Sequence, residues 1–140
     1  MKAARAILSG WCALALASCH SGMSPSDIEV DGAWNGTWQF VTGGVTVSDA
    51  VTARLTQSGA NASGTWTAES GPAGEISFAV GESISGSLTI TQTTLTGQTC
   101  TATTPLSGSA TSSTIEFTTT DFTPSGICQW AANNRFTFRK

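Results

Sequence analysis

The side chains best able to do chemistry in this 140-residue chain are four cysteines, Cys12, Cys19, Cys100 and Cys128. The rest of the reactive inventory is thin. His20 is the only histidine and tyrosine is absent, so a nucleophile paired with an imidazole base is not available. No set of histidines and no close third thiol completes a group of soft metal ligands. Nine carboxylates remain, and a pair of carboxylates can hydrolyse glycosides. Here they are scattered. Asp27, Glu29 and Asp31 come early, Glu69, Glu75, Glu82 and Asp121 fall at strand ends or in loops, and Glu116 lies between the apolar Ile115 and Phe117. The chain is therefore not expected to be an enzyme, and nothing in it calls for a cofactor.

Cys12 lies within an expected leader and Cys19 directly follows it. Lys2 and Arg5 make a short positive end, and Ala6 to Ala17 is mostly apolar, the pattern of an export signal. As a helix that stretch would be about 18 Å long at roughly 1.5 Å per residue, too short for a hydrocarbon core of about 30 Å. Small residues then lead into a thiol as Leu16-Ala17-Ser18-Cys19.

That tetrapeptide resembles the bacterial lipobox, Leu-(Ala/Ser)-(Gly/Ala/Ser)-Cys, at every position. The resemblance implies that residues 1–18 are a cleaved signal peptide and that the Cys19 thiol carries a diacylglyceryl group. In many Gram-negative bacteria a third acyl chain follows on the new amino terminus. Two or more chains hold a protein firmly where one holds it only marginally. His20 stands where an Asp would retain such a protein in the inner membrane, which implies the outer membrane, facing the periplasm, if the host is Gram-negative. The alternative is an ordinary secretory signal with a chance cysteine.

With Cys12 removed and Cys19 acylated, Cys100 and Cys128 remain. An even pair in an exported chain argues for a disulfide. Closing a loop of roughly 30 residues would contribute about 3 to 4 kcal/mol in the chain-entropy model. Two inert buried thiols are the alternative.

The elements that must position these residues read as strands. Residues 19–33 form the lipidated end and a tether rich in Gly, Pro, Ser and Asp, and residues 34–140 form one domain. From Trp34 onward apolar residues recur at every second position, the strand period. Trp34, Trp38 and Phe40 share a face, as do Val51 and Leu55, Ile76 and Phe78, Ile84, Leu88 and Ile90, and Phe136 and Phe138. Leu95 with Gly97 and Leu106 with Gly108 continue the run. Gly36, Gly64, Gly86 and Gly108 fall on the inward face, where glycine is unusual in a strand and where it lets a small sheet bend and close. The expected fold is all-β, a small antiparallel up-and-down barrel of eight to ten strands, with a flat glycine-rich sheet or β-sandwich as the alternative. A transmembrane barrel is excluded, because the faces opposite the core are mostly Ser and Thr rather than an apolar band.

Beyond the leader four cations, Arg54, Arg135, Arg139 and Lys140, stand against nine carboxylates, a formal charge of −5. No basic stripe is present to follow a phosphate backbone, so nucleic acid is not an expected partner. The aromatics are the concentrated feature. Trp34, Trp38, Phe40, Trp66, Phe78, Phe117, Phe136 and Phe138 fall on inward positions, either as plain core or, with Trp38 and Trp66 as walls, as an apolar pocket.

Gly32-Ala-Trp34 resembles the Gly-x-Trp motif that opens lipocalins, and Phe136-Thr-Phe138-Arg139 is similar to the late segment whose basic residue packs across that tryptophan. Gly36-Thr-Trp38 is similar to the opening strand of avidins. The resemblance implies an eight-stranded barrel open at one end to a small apolar ligand. No helix pattern follows the barrel, and without tyrosine the biotin contacts of avidins are not carried over. Two functions follow: a membrane-anchored module that binds a small apolar ligand, or an envelope protein with a solid core that acts through its outer surface.

Overall fold

The computed structural model describes residues 27–120, 122 and 130–140. Residues 1–18, where a leader is expected, and Cys19, His20, Asp121 and Cys128 lie outside the described residues. Among the described residues eight strands run in chain order: β1 (Gly32–Thr42), β2 (Val45–Ser58), β3 (Asn61–Ala68), β4 (Ala73–Ala79), β5 (Ser83–Thr93), β6 (Thr99–Ala110), β7 (Thr114–Thr119) and β8 (Ala132–Arg139). Each pairs antiparallel with its sequence neighbour, and β8 returns to β1 with Trp38 opposite Phe136. No edge strand remains, so the closed up-and-down barrel forms and the sandwich does not.

Alternation drives this arrangement. In β3, Ala62, Trp66 and Ala68 are buried while Asn61, Ser63, Thr65 and Thr67 are exposed, which lets one face fill the barrel and the other meet water. The β1–β2 hairpin turns on Gly43 and Gly44, with φ of 56° and 78°, the left-handed pair that a tight two-residue hairpin requires.

Leu95 and Gly97, read above as strand residues, form the tip of the β5–β6 hairpin. Thr94 N–H donates to Gln98 O at 2.8 Å and Gly97 N–H to Thr94 O at 2.9 Å, with Gly97 at φ 81°. Gly86, Gly97 and Gly108 are each 11 residues apart in the sequence, and the spacing has a simple origin. Gly86 pairs with Leu106 and Ile84 with Gly108, so the hairpin folds about its tip and Gly97 sits beside the fold point.

The strand glycines are sites of close backbone approach. A Cβ on Gly86 would fall onto the Ser77 carbonyl oxygen and 2.6 Å from Phe78 Cα. Gly36, Gly64 and Gly108 meet neighbouring backbone in the same way, and so does Gly74, which alternation alone did not single out. Four of the five lie opposite an aromatic in the pairing register: Gly36 with Phe138, Gly74 with Trp66, Gly86 with Phe78 and Gly108 with Phe117. A strand coiled tightly enough to close a small barrel has no room for a side chain at these bends, and the ring on the next strand covers the gap.

The domain begins earlier than residue 34. Ile28 and Val30 are 1% and 0% exposed and belong to the core, and Gly32 and Ala33 open β1, so the tether reading fails from residue 28 onward. Gln57 pins this segment. Its side chain accepts from Val30 N–H at 2.8 Å and donates to Ile28 O at 3.0 Å. Trp34 Nε1–H donates to Val30 O at 2.8 Å, and Glu29 N–H to Ser112 Oγ at 3.0 Å. The segment plugs the barrel end that carries the β2–β3, β4–β5 and β6–β7 connections. Its two apolar residues are too few to reveal a period among Gly, Pro, Ser and Asp.

A basic side chain crosses the Trp34 ring, but it is Lys140, with Nζ 5.2 Å from the ring centroid, and not Arg139. Phe138 points inward on β8, so alternation turns Arg139 outward, where it is exposed. Lys140, past the strand end, is free of that constraint.

Candidate functional site

The two ends of the barrel differ. The end plugged by Ile28 and Val30 is closed; the end that carries the β1–β2, β3–β4 and β5–β6 connections opens into a cleft of about 470 Å³. That volume lies within the range of small-molecule sites. Residues two apart on β1 supply Trp38, Phe40 and Thr42, and β5 supplies Ile90 and Gln92. Ser70 to Pro72 and the hairpin tip at Leu95 add to the rim, and Phe122, Trp130 and Ala131 form the remaining wall.

Aromatic packing sets the floor. Trp38 stacks on Phe136 with centroids 5.7 Å apart and an interplanar angle of 5°, meets Trp66 edge-on at 5.8 Å, and lies 4.2 Å from Phe40. Phe136 stacks in turn on Phe117 at 4.9 Å. Phe122 and Trp130 pack together at 5.4 Å in the wall. Below this floor the barrel is filled by Trp34, Trp66, Phe117, Phe138, Leu88 and their neighbours, all buried. The space is therefore a mouth above a solid core, not a chamber running the length of the barrel.

Polar groups fix the walls. Trp38 Nε1–H donates to Asn134 Oδ1 at 2.9 Å, and Asn134 Nδ2–H donates to Ala131 O at 2.9 Å. One buried amide thus ties the floor to the wall, since leaving any of these groups without a partner in the core is costly. Asp49, on β2, accepts from both the backbone N–H and the hydroxyl of Ser70, holding the β3–β4 connection against the barrel. Among the described residues no charged side chain lines the cleft; its polar rim is Thr42, Ser70, Gln92, Thr93 and Thr94. Such a surface can bury a neutral apolar body and offer hydroxyl and amide contacts at its edge. Among the described residues no three His, Cys, Asp or Glu side chains gather.

Of the two expected pocket walls, Trp38 borders the cleft and Trp66 does not. Trp66 is 1% exposed beneath the floor, with its indole N–H donated to Thr89 O at 3.0 Å. Phe122 and Gln92 were not legible as site residues, because neither belongs to an apolar run. Asn134 carried a usable signal: it alternates with Phe136 and Phe138 on the inward face of β8.

Cys100 is 3% exposed on the mouth-side half of β6. The β6–β7 pairing covers only Leu106 to Ala110, so this half of β6 extends past β7. Thr104 Oγ1 donates to Thr120 O at 3.0 Å there, where the chain leaves β7. The proposed partner, Cys128, lies outside the described residues.

No protein-family model matches the chain, and no curated protein matches its sequence.

Proposed function

We propose that this is a lipid-anchored cell-envelope protein whose barrel mouth binds a small, uncharged apolar molecule. The reading takes Cys19 as the acylated residue after cleavage of residues 1–18, Cys100 and Cys128 as a disulfide, and the outer membrane as the location in a Gram-negative host. Supporting it are the match of Leu16-Ala17-Ser18-Cys19 to the lipobox and the even cysteine pair in an exported chain. The observation that carries the binding role is the cleft of about 470 Å³ walled by Trp38, Phe40, Phe122 and Trp130, which no charged side chain lines among the described residues. An apolar ligand there gains from removal of its surface from water, while a buried ion would find no counter-charge among the described residues. The protein needs no catalytic group for this role.

The test is binding of a neutral hydrophobic fluorophore, N-phenyl-1-naphthylamine, to protein expressed without residues 1–18, carrying Cys19→Ser and purified without detergent. Emission should rise saturably, and Phe40→Ala together with Trp130→Ala should weaken binding by about tenfold or more, a loss of about 1.4 kcal/mol. Absence of saturable binding, or binding indifferent to both substitutions, sinks the ligand reading. The second reading, a structural or interaction protein, would then stand on the packed interior below Trp38.

A further inference from the structure

We infer that on the membrane the barrel stands on its plugged end, with the mouth opening away from the bilayer that holds the Cys19 lipid. The inference rests on the acylation proposed above and adds the direction from which a ligand must come. The described chain starts at Asp27, beside the plugged end, and the bonds from Gln57, Ser112 and Trp34 hold residues 28–30 there. Only residues 20–26 separate Asp27 from Cys19. Eight Cα steps reach at most ~28 Å when fully extended.

The barrel is as tall as that reach. The 11 residues of β1 measure roughly 36 Å at about 3.3 Å each, or about 28 Å along the axis for a strand tilt near 40°. Turning the mouth to the bilayer lifts Asp27 a full barrel height above the headgroups and demands a taut connection, which costs chain entropy. Standing on the plugged end demands only the headgroup gap. Lying on its β5–β6 side is no better for the barrel. The outer wall of β5 and β6 carries hydroxyl pairs such as Thr89–Thr103 and Thr91–Thr101, both 3.0 Å apart, and offers no apolar face to sink into lipid. Val45 and Leu95, exposed at the mouth-side hairpin tips, are two separate aliphatic groups. Among the described residues no lysine or arginine stands beside them to engage lipid phosphates. The mouth thus faces the aqueous compartment, and a ligand enters from there and not from the anchoring leaflet.

Acylated, isotope-labelled protein in nanodiscs containing a gadolinium-chelating lipid tests the orientation without any substitution. The amides of Ala60 and Ser113, on plugged-end connections, should lose their signals, while those of Gly44 and Leu95 keep theirs. Loss that is equal, reversed or absent at both ends, with the protein bound to the nanodisc, overturns the orientation alone. Protein that stays out of the nanodisc fraction overturns the anchor, and the orientation with it.

Discussion

Trp38 and Asn134 meet across the seam where β1 and β8 close the barrel, the indole N–H donating to the amide oxygen at 2.9 Å. Both are buried, at 3% and 1% exposure. The contact therefore joins the first strand to the last at the boundary between solid core and open mouth. Replacing Asn134 with Leu keeps the volume and strips the indole of its acceptor and Ala131 O of its donor. The cost should be about 1–3 kcal/mol for the buried indole N–H left unpaired, with less from the part-buried Ala131 carbonyl. Urea denaturation should also show that Trp38→Phe combined with Asn134→Leu costs less than the two singles added, since the pair shares one bond.

Gly86 should refuse even a methyl group. With Ser77 O and Phe78 Cα occupying the place of its Cβ, Gly86→Ala must push β4 aside, and Gly86→Val must also enter the packed interior. Overpacking costs about 1–3 kcal/mol before any backbone strain. Ser85→Val, on the exposed face of the same strand, should be neutral or slightly stabilising because valine suits strands. Thermal melts of the three variants check the contrast; a Gly86→Val melt at or above wild type would falsify the close-approach account.

The proposed crosslink predicts that Cys100 and Cys128 resist alkylation in unfolded, unreduced protein recovered from the envelope and react once a reductant is added. Cys128→Ala should lower the unfolding free energy by about 3 to 4 kcal/mol. The structural consequence is local: the chain between β7 and β8, which supplies Phe122 and Trp130 to the cleft wall, would lose its tie to β6, so probe binding should weaken with stability. Free thiols in the native protein would refute the pairing.

For the anchor, Cys19→Ser should abolish incorporation of radiolabelled palmitate, prevent cleavage after Ser18 and move the protein out of the detergent phase. Equal labelling of variant and wild type would remove Cys19 as the lipidation site.

By itself the sequence determined the class of fold and the residues that fill it. Strand alternation depends only on successive side chains pointing to opposite faces, so Trp34, Trp38, Trp66, Phe78, Phe117, Phe136 and Phe138 could be placed inward one strand at a time, and all are buried. Glycine on an inward position likewise signals a bend before any neighbour is known. What tertiary structure decided was everything that needs two strands at once. Closure is a pairing of β1 with β8 across some hundred residues, and a period cannot distinguish it from an open sheet. Whether an inward aromatic is core or cleft wall depends on its height along the barrel axis. Trp38 and Trp66 share type and period, yet one borders the mouth and the other lies under it. The plug at Ile28 and Val30, the lysine over Trp34 and the wall at Phe122 come from segments without regular alternation. Their places are set by hydrogen bonds and contacts to distant strands, and nothing in the local order of residues encodes those distances.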